Sequence, residues 1–119
     1  MTKPKEPDPF EQGLALFNAG RFFECHEVWE ALWKRASGAD RLFYQGLIQA
    51  AVAILHAERG NLRGAASTYA KARAKLDALS GEYMGIAIDG FRDALARFFA
   101  QALAGAGELP PRPKICRGK

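Results

Sequence analysis

Cysteine is almost missing from this chain: only Cys25 and Cys116 occur, far apart and without the Cys-x-x-Cys spacing of a zinc or redox site. That scarcity excludes a disulfide-stapled scaffold and leaves the fold to rest on its apolar core. Long apolar runs are missing too. The longest, from about Leu42 to Ala57, is interrupted by Gln45 and Gln49 and is too short to cross a bilayer. The opening Met1-Thr2-Lys3-Pro4-Lys5-Glu6-Pro7 lacks the apolar stretch of a secretory signal, so a cytoplasmic protein is expected. No segment sustains β alternation, which points to the all-α class. Most of the chain also lacks an excess of either charge. The formal net charge is +4, and Arg112, Lys114, Arg117 and Lys119 supply all four charges within the acid-free stretch 110–119, so residues 1–109 sum to zero. A neutral body argues against a nucleic-acid surface, which shows its charge on the folded part.

What is present is helix grammar. The 119 residues, 49% hydrophobic and 25% charged, have the length and composition of one soluble domain with a single core. Residues 1–7 read as a flexible arm, 8–105 as the helical domain, and 106–119 as a basic, proline-rich mobile tail. Asp8-Pro9-Phe10-Glu11 starts helix one, with Asp8 as N-cap and Pro9 at the first helical position. Helix two runs from about Arg21 to Ala36, and helix three from an Asp40 cap to about Glu58. Asn61 caps helix four, which reaches about Leu79, and Asp89 caps helix five, ending near Leu103. Helix four carries Leu62, Ala65, Tyr69, Ala72, Leu76 and Leu79 at 3-4-3-4-3 spacing, a one-sided apolar stripe. Helix three is apolar around most of its circumference and is therefore expected at the centre.

Two turns repeat forty residues apart. Phe17-Asn18-Ala19-Gly20-Arg21-Phe22 and Ala57-Glu58-Arg59-Gly60-Asn61-Leu62 each join two helices through a glycine. The rhythm is tetratricopeptide-like, but a solenoid usually needs three repeats. A compact bundle of about five helices, built on two antiparallel hairpins, is the expectation.

The chemistry-bearing residues concentrate on helices two and three. With about 100° per residue, Phe22, Cys25, Trp29, Leu32 and Trp33 form the core side of helix two. His26 and Glu30 share its edge, while Glu24 and Glu27 project further round. On helix three Gln45, Gln49, Val52 and His56 recur at 4-3-4 spacing, a strip about 60° wide and polar on an otherwise apolar helix. Folding back through Ser37-Gly38-Ala39-Asp40 sets Glu30 level with Gln45 and His26 level with Gln49. His56 falls near the Gly20 turn. An imidazole or carboxylate taken out of water needs a partner, and these amides are the expected ones. Trp33 beside them suits boundary packing or the wall of a ligand pocket.

Two uses of such a cluster stand side by side. One is a hydrogen-bond network that fixes how helices two and three dock. The other is a site, with His26 and Glu30 as candidate metal ligands and Glu27 or His56 completing the shell. The chain reads His-Glu-x-x-Glu where zincins carry His-Glu-x-x-His. Di-iron bundles use Glu-x-x-His, but here Phe23 stands three before His26. No cofactor is specified by the residues. On helix four Arg63, Ser67, Lys71 and Lys75 form a basic stripe suited to solvent, to phosphate, or to the Glu24/Glu27 side of a second copy.

The run Phe17-Asn18-Ala19-Gly20-Arg21-Phe22-Phe23-Glu24-Cys25-His26-Glu27, with Glu30, Trp33, Gln45-Gly46-Leu47-Ile48-Gln49, His56 and Arg59-Gly60-Asn61, resembles the family catalogued as domain of unknown function 309. The resemblance covers about Phe10 to Leu79. It implies a small all-helical bundle and no established activity, substrate or cofactor. It also implies signature positions at Glu24, His26, Glu27, Glu30, Trp33, Gln45, Gln49 and His56. Cys25 stands where the family frequently has alanine, which argues against a nucleophile there. The functional expectation is a small cytosolic helical domain whose polar cluster serves helix docking, a protein partner (a homodimer among them) or a small ligand. The alternative is a metal-dependent or acid–base hydrolase-like enzyme using His26 and Glu30, with Glu27 as general base. Nucleic acid and membrane are not expected partners.

Overall fold

Five helices in sequence order dominate the structure, a computed structural model that describes residues 8–105 and 107–118. The expected arm, residues 1–7, lies outside the described residues. The helices are α1 (Pro9–Asn18), α2 (Phe22–Arg35), α3 (Gly38–Glu58), α4 (Leu62–Leu76) and α5 (Ile88–Ala102). The fold is the expected all-α bundle. No helix among the described residues is long and apolar enough to cross a membrane.

Helices α1 and α2 form one antiparallel hairpin, α3 and α4 another, and α3 packs against both α2 and α4. The two repeated turns are the same motif at atomic level. In the first, Gly20 N–H donates to Phe17 O at 2.9 Å and Arg21 N–H to Leu16 O at 2.9 Å. In the second, Gly60 N–H donates to Ala57 O at 3.1 Å and Asn61 N–H to His56 O at 2.9 Å. Both are Schellman closures, which need the left-handed conformation that Gly20 (φ 79°) and Gly60 (φ 78°) adopt. The sequence repeat is thus a repeated helix stop rather than a solenoid.

The core runs through the two hairpins and under α5. Trp29 is fully buried, stacked against Phe10 at 6.3 Å and Phe17 at 6.1 Å, and its Nε1–H donates to Phe10 O at 3.4 Å. Gly13 of α1 lies flat against that indole, leaving no room for a β-carbon. Phe17 meets Phe91 of α5 edge-on at 5.6 Å, and Phe99 stacks on Tyr69 of α4 at 4.3 Å. Cys25 is completely buried, and burial pushes its thiol far up, out of reach of a thiolate at neutral pH.

Three local expectations are corrected. Helix α3 starts at Gly38 with Ser37 as N-cap, so Asp40 lies inside the helix and accepts a hydrogen bond from the Tyr83 hydroxyl instead of capping. Helix α5 starts two residues early, at Ile88, and Asp89 accepts from Gly81 N–H at 3.2 Å and from the Arg92 side chain rather than from a backbone N–H of its own helix. Between α4 and α5 stands a small hairpin, β1 (Glu82–Tyr83) paired antiparallel with β2 (Ile86–Ala87). Its two turn residues, Met84 (φ 49°) and Gly85 (φ 77°), both take the left-handed conformation of a type I′ turn. Strands of two residues are too short to show alternation in sequence.

The stretch expected as a mobile tail is docked. Arg112 donates to Glu58 at 2.5 and 3.3 Å, Lys114 Nζ donates to Asn18 O at 3.1 Å, and Arg117 pairs with Glu11. The Asn18 side chain reads the Ile115 backbone from both sides, donating to its oxygen at 3.0 Å and accepting from its N–H at 2.8 Å. Ala87 N–H donates to Cys116 O at 3.0 Å and Gly118 N–H to Gly85 O at 2.8 Å, which adds the tail to β2. Ile115 is buried as the anchor of this strap. Arg112 and Arg117 of the basic tail are therefore paired with surface carboxylates, and Lys114 with the carbonyl end of α1.

The Tyr83–Asp40 bond predicts an alkaline transition. Hydrogen bonding to Asp40 pushes the Tyr83 hydroxyl up to about 12, and burial raises Tyr44 and Tyr69 as well. A folded-state value above the ordinary phenol value of about 10 stabilises the fold below pH 10, and that contribution is lost as pH rises toward 12. Absorbance at 295 nm should show the folded protein's tyrosines ionising above pH 10, later than in urea. Asp40→Asn should move Tyr83 back toward the urea value.

Candidate functional site

The α2 edge and the outward strip of α3 meet as the spacing requires. A cleft of about 160 Å³ is lined by His26, Glu30 and Trp33 from α2 and by Gln45, Ile48 and Gln49 from α3. Antiparallel packing of α2 on α3 produces it, because the four-residue steps His26–Glu30 and Gln45–Gln49 bring side chains to one face of each helix. His26 Nε2 lies 3.4 Å from Glu30 Oε2, and both side chains are about a third exposed, at 32% and 40%. Ile48 supplies the apolar wall.

Among the described residues, two buried polar atoms on side chains that line this cleft have no hydrogen-bond partner: the indole Nε1 of Trp33 and the amide Oε1 of Gln49. One is a donor and the other an acceptor. Trp29 gives the internal contrast, since its indole N–H is bonded to Phe10 O. Leaving a buried polar atom unpaired costs on the order of 1–3 kcal/mol, so each of these two atoms gains from a partner.

Three of the eight expected site residues lie elsewhere. Glu24 is exposed and paired with Arg21 at 2.6 Å. Glu27 is exposed and does not line the cleft. His56 sits at the far end of α3, where its Nδ1 is 3.3 Å from the Asn61 amide that caps α4. The expected third metal donors are therefore not beside His26 and Glu30. Among the described residues no group of three or more His, Cys, Asp and Glu is placed to hold a metal ion.

One residue was missed. Arg41 lies over the Trp33 ring at 4.0 Å and donates to Trp33 O and Ala36 O, both at 3.4 Å, closing the C-terminal end of α2. The signal was available, since Arg41, Gln45 and Gln49 are spaced by four.

Fold and cleft together define a small helical-hairpin domain with a polar, partly open seam between its second and third helices. The chain belongs to the family described as "Domain of unknown function (DUF309)", whose model matches residues 10–68. That match runs from Phe10 in α1 through α3 into α4 and contains every residue that lines the cleft. The uncharacterized protein YpuF of Bacillus subtilis (strain 168) is 41% identical over 61 residues, which is 50% of this chain and 35% of YpuF. The match therefore spans about a third of that relative's length. A conserved hypothetical protein from Thermus thermophilus, solved by crystallography, superposes with a TM-score of 0.69 at 32% identity, covering 81% of this chain and 99% of the other.

Proposed function

We propose that this protein is a small cytoplasmic binding module that takes a small polar ligand in the α2/α3 cleft. The observation that carries this reading is the unpaired donor and acceptor, Trp33 Nε1 and Gln49 Oε1, in a cleft of about 160 Å³. A ligand offering an acceptor beside a donor, as an amide does, pairs both once the Trp33 and Gln49 side chains turn to uncover them. Glu30 and His26 then face its exposed side, and Ile48 supports its apolar part. At about 30 Å³ per liquid water, the cleft has space for a ligand the size of a few waters.

Acetamide is the simplest probe. Titrated into ¹⁵N-labelled protein, it should shift the Trp33 indole N–H resonance saturably and leave the Trp29 indole unmoved, because that N–H is already bonded. Glu30→Gln should retain the shift, since Glu30 is not the orphaned group. An unmoved Trp33 resonance at saturating acetamide would overturn the proposal.

A second reading rests on the 3.4 Å His26–Glu30 contact, in which a carboxylate orients an imidazole for acid–base work. In that reading Glu27 is not the base, since it lies outside the cleft. Hydrolysis of p-nitrophenyl acetate that disappears in His26→Ala at unchanged melting temperature supports it. Equal rates in the two proteins refute it.

A further inference from the structure

A second and larger cavity lies between α5 and the docked tail. It measures about 490 Å³, within the range of about 300–1,000 Å³ common for small-molecule sites. Its existence depends on the strap: Pro110 to Lys114 form one wall and the outer face of α5 forms the other. Helix α5 offers small side chains there, Gly90 and Ala94 four residues apart, so the wall is recessed rather than filled. Phe91 and Phe98, both buried in the core, also contribute to the lining, together with the prolines. The floor is thus apolar and aromatic.

The charge of the groove is one-sided. Arg97, Arg112 and Lys114 line it and no acidic side chain does. Arg112 is neutralised by Glu58. Lys114 donates to a backbone carbonyl, Asn18 O, and among the described residues neither Lys114 nor Arg97 has an ion-pair partner. Two cations without carboxylates therefore flank an apolar trough, whereas the α2/α3 cleft has the opposite character, with Glu30 and no Lys or Arg on its lining.

We infer that the groove between α5 and the C-terminal strap is a second binding site, for an organic anion with an apolar body, such as a medium-chain carboxylate. The carboxylate pairs with Arg97 and Lys114, and the hydrocarbon lies along Ala94, Phe98 and the prolines. The site is independent of the α2/α3 cleft, with which it shares no lining residue.

Octanoate and 1-octanol form a matched pair of probes that differ in charge and share a chain. In protein-observed NMR, octanoate should produce saturable shifts in the amides of Ala94, Arg97 and Cys116, at least tenfold tighter than octanol. Arg97→Glu should weaken octanoate at least tenfold. Ala94→Leu, which fills the trough, should weaken both probes. Arg63→Glu on α4 should change neither by more than twofold. Melting curves report folding, and Arg97→Gln serves as the milder variant should Arg97→Glu melt early. Equal affinity for the two probes, unchanged octanoate affinity in the Arg97 variants, or shifts that do not saturate would each overturn the inference.

Discussion

Trp29→Ala is expected to lower the free energy of unfolding by about 3–5 kcal/mol, the range for truncating a buried aromatic. Trp29 is fully buried at the point where α1 meets α2, between the Phe10 and Phe17 rings. Its removal leaves a large void and also frees Phe10 O, whose partner was the indole N–H. Helix α1 cannot collapse into the void without losing Phe10 and Phe17 from their own contacts. Small domains have total stabilities of roughly 5–15 kcal/mol, so the variant should sit near its unfolding threshold at room temperature. Urea denaturation followed by circular dichroism checks this: the midpoint should fall sharply with little change in slope. A loss below about 1 kcal/mol would mean that α1 is not part of the cooperative core. Gly13→Ala should perturb the same contact from the other side, because a methyl there meets the indole.

Gln49→Met is expected to act in the opposite sense, raising stability by about 1–3 kcal/mol while abolishing the acetamide response of Trp33. Methionine keeps the length and flexibility of glutamine but carries no amide oxygen to leave unpaired. Most substitutions in a packed interface destabilise, so the sign of the change decides between the two uses of the polar seam. If the seam is a hydrogen-bond network that docks α2 on α3, Gln49→Met must destabilise. If it is a binding site whose unpaired Gln49 Oε1 waits for a ligand, the variant gains stability and loses binding together. Urea melts of the two proteins, with and without acetamide, distinguish the outcomes: added acetamide should raise the midpoint only where Gln49 is present.

How much of this was legible before folding differs between elements. The Gly20 and Gly60 stops, the Asp8 and Asn61 caps and the apolar stripes of the helices are local properties, set within a few residues, and the structure follows them. The meeting of His26, Glu30 and Trp33 with Gln45 and Gln49 was legible too, because a short turn forces α2 and α3 antiparallel and the helical period does the rest. His56 shares the α3 strip but, as its place near the Gly20 turn implied, lies beyond the start of α2 and so outside the cleft. Its neighbour is the α4 cap. Glu24 and Glu27 failed because a carboxylate on a helix edge is drawn to water or to a nearby cation unless packing holds it inward, and Arg21 is one turn from Glu24.

The tail shows where local reasoning ends. Proline-rich, acid-free sequence looks unstructured, since nothing in it can build a core. Its order comes from distant residues: Glu11, Asn18 and Glu58 receive Arg117, Lys114 with Ile115, and Arg112. None of those partners is near in sequence, and each becomes one only after the helices have packed.

By itself, then, the amino-acid sequence determined the helices, the two glycine stops and the face each helix turns inward, because hydrogen bonding and side-chain periodicity operate within a few residues. Only the tertiary structure decided which polar atoms found partners. Trp33 Nε1 and Gln49 Oε1 are ordinary donor and acceptor on paper, and they become buried and unpaired only when two helices enclose them. The groove under the strap arose in the same way, since its two walls come from α5 and the distant end of the chain.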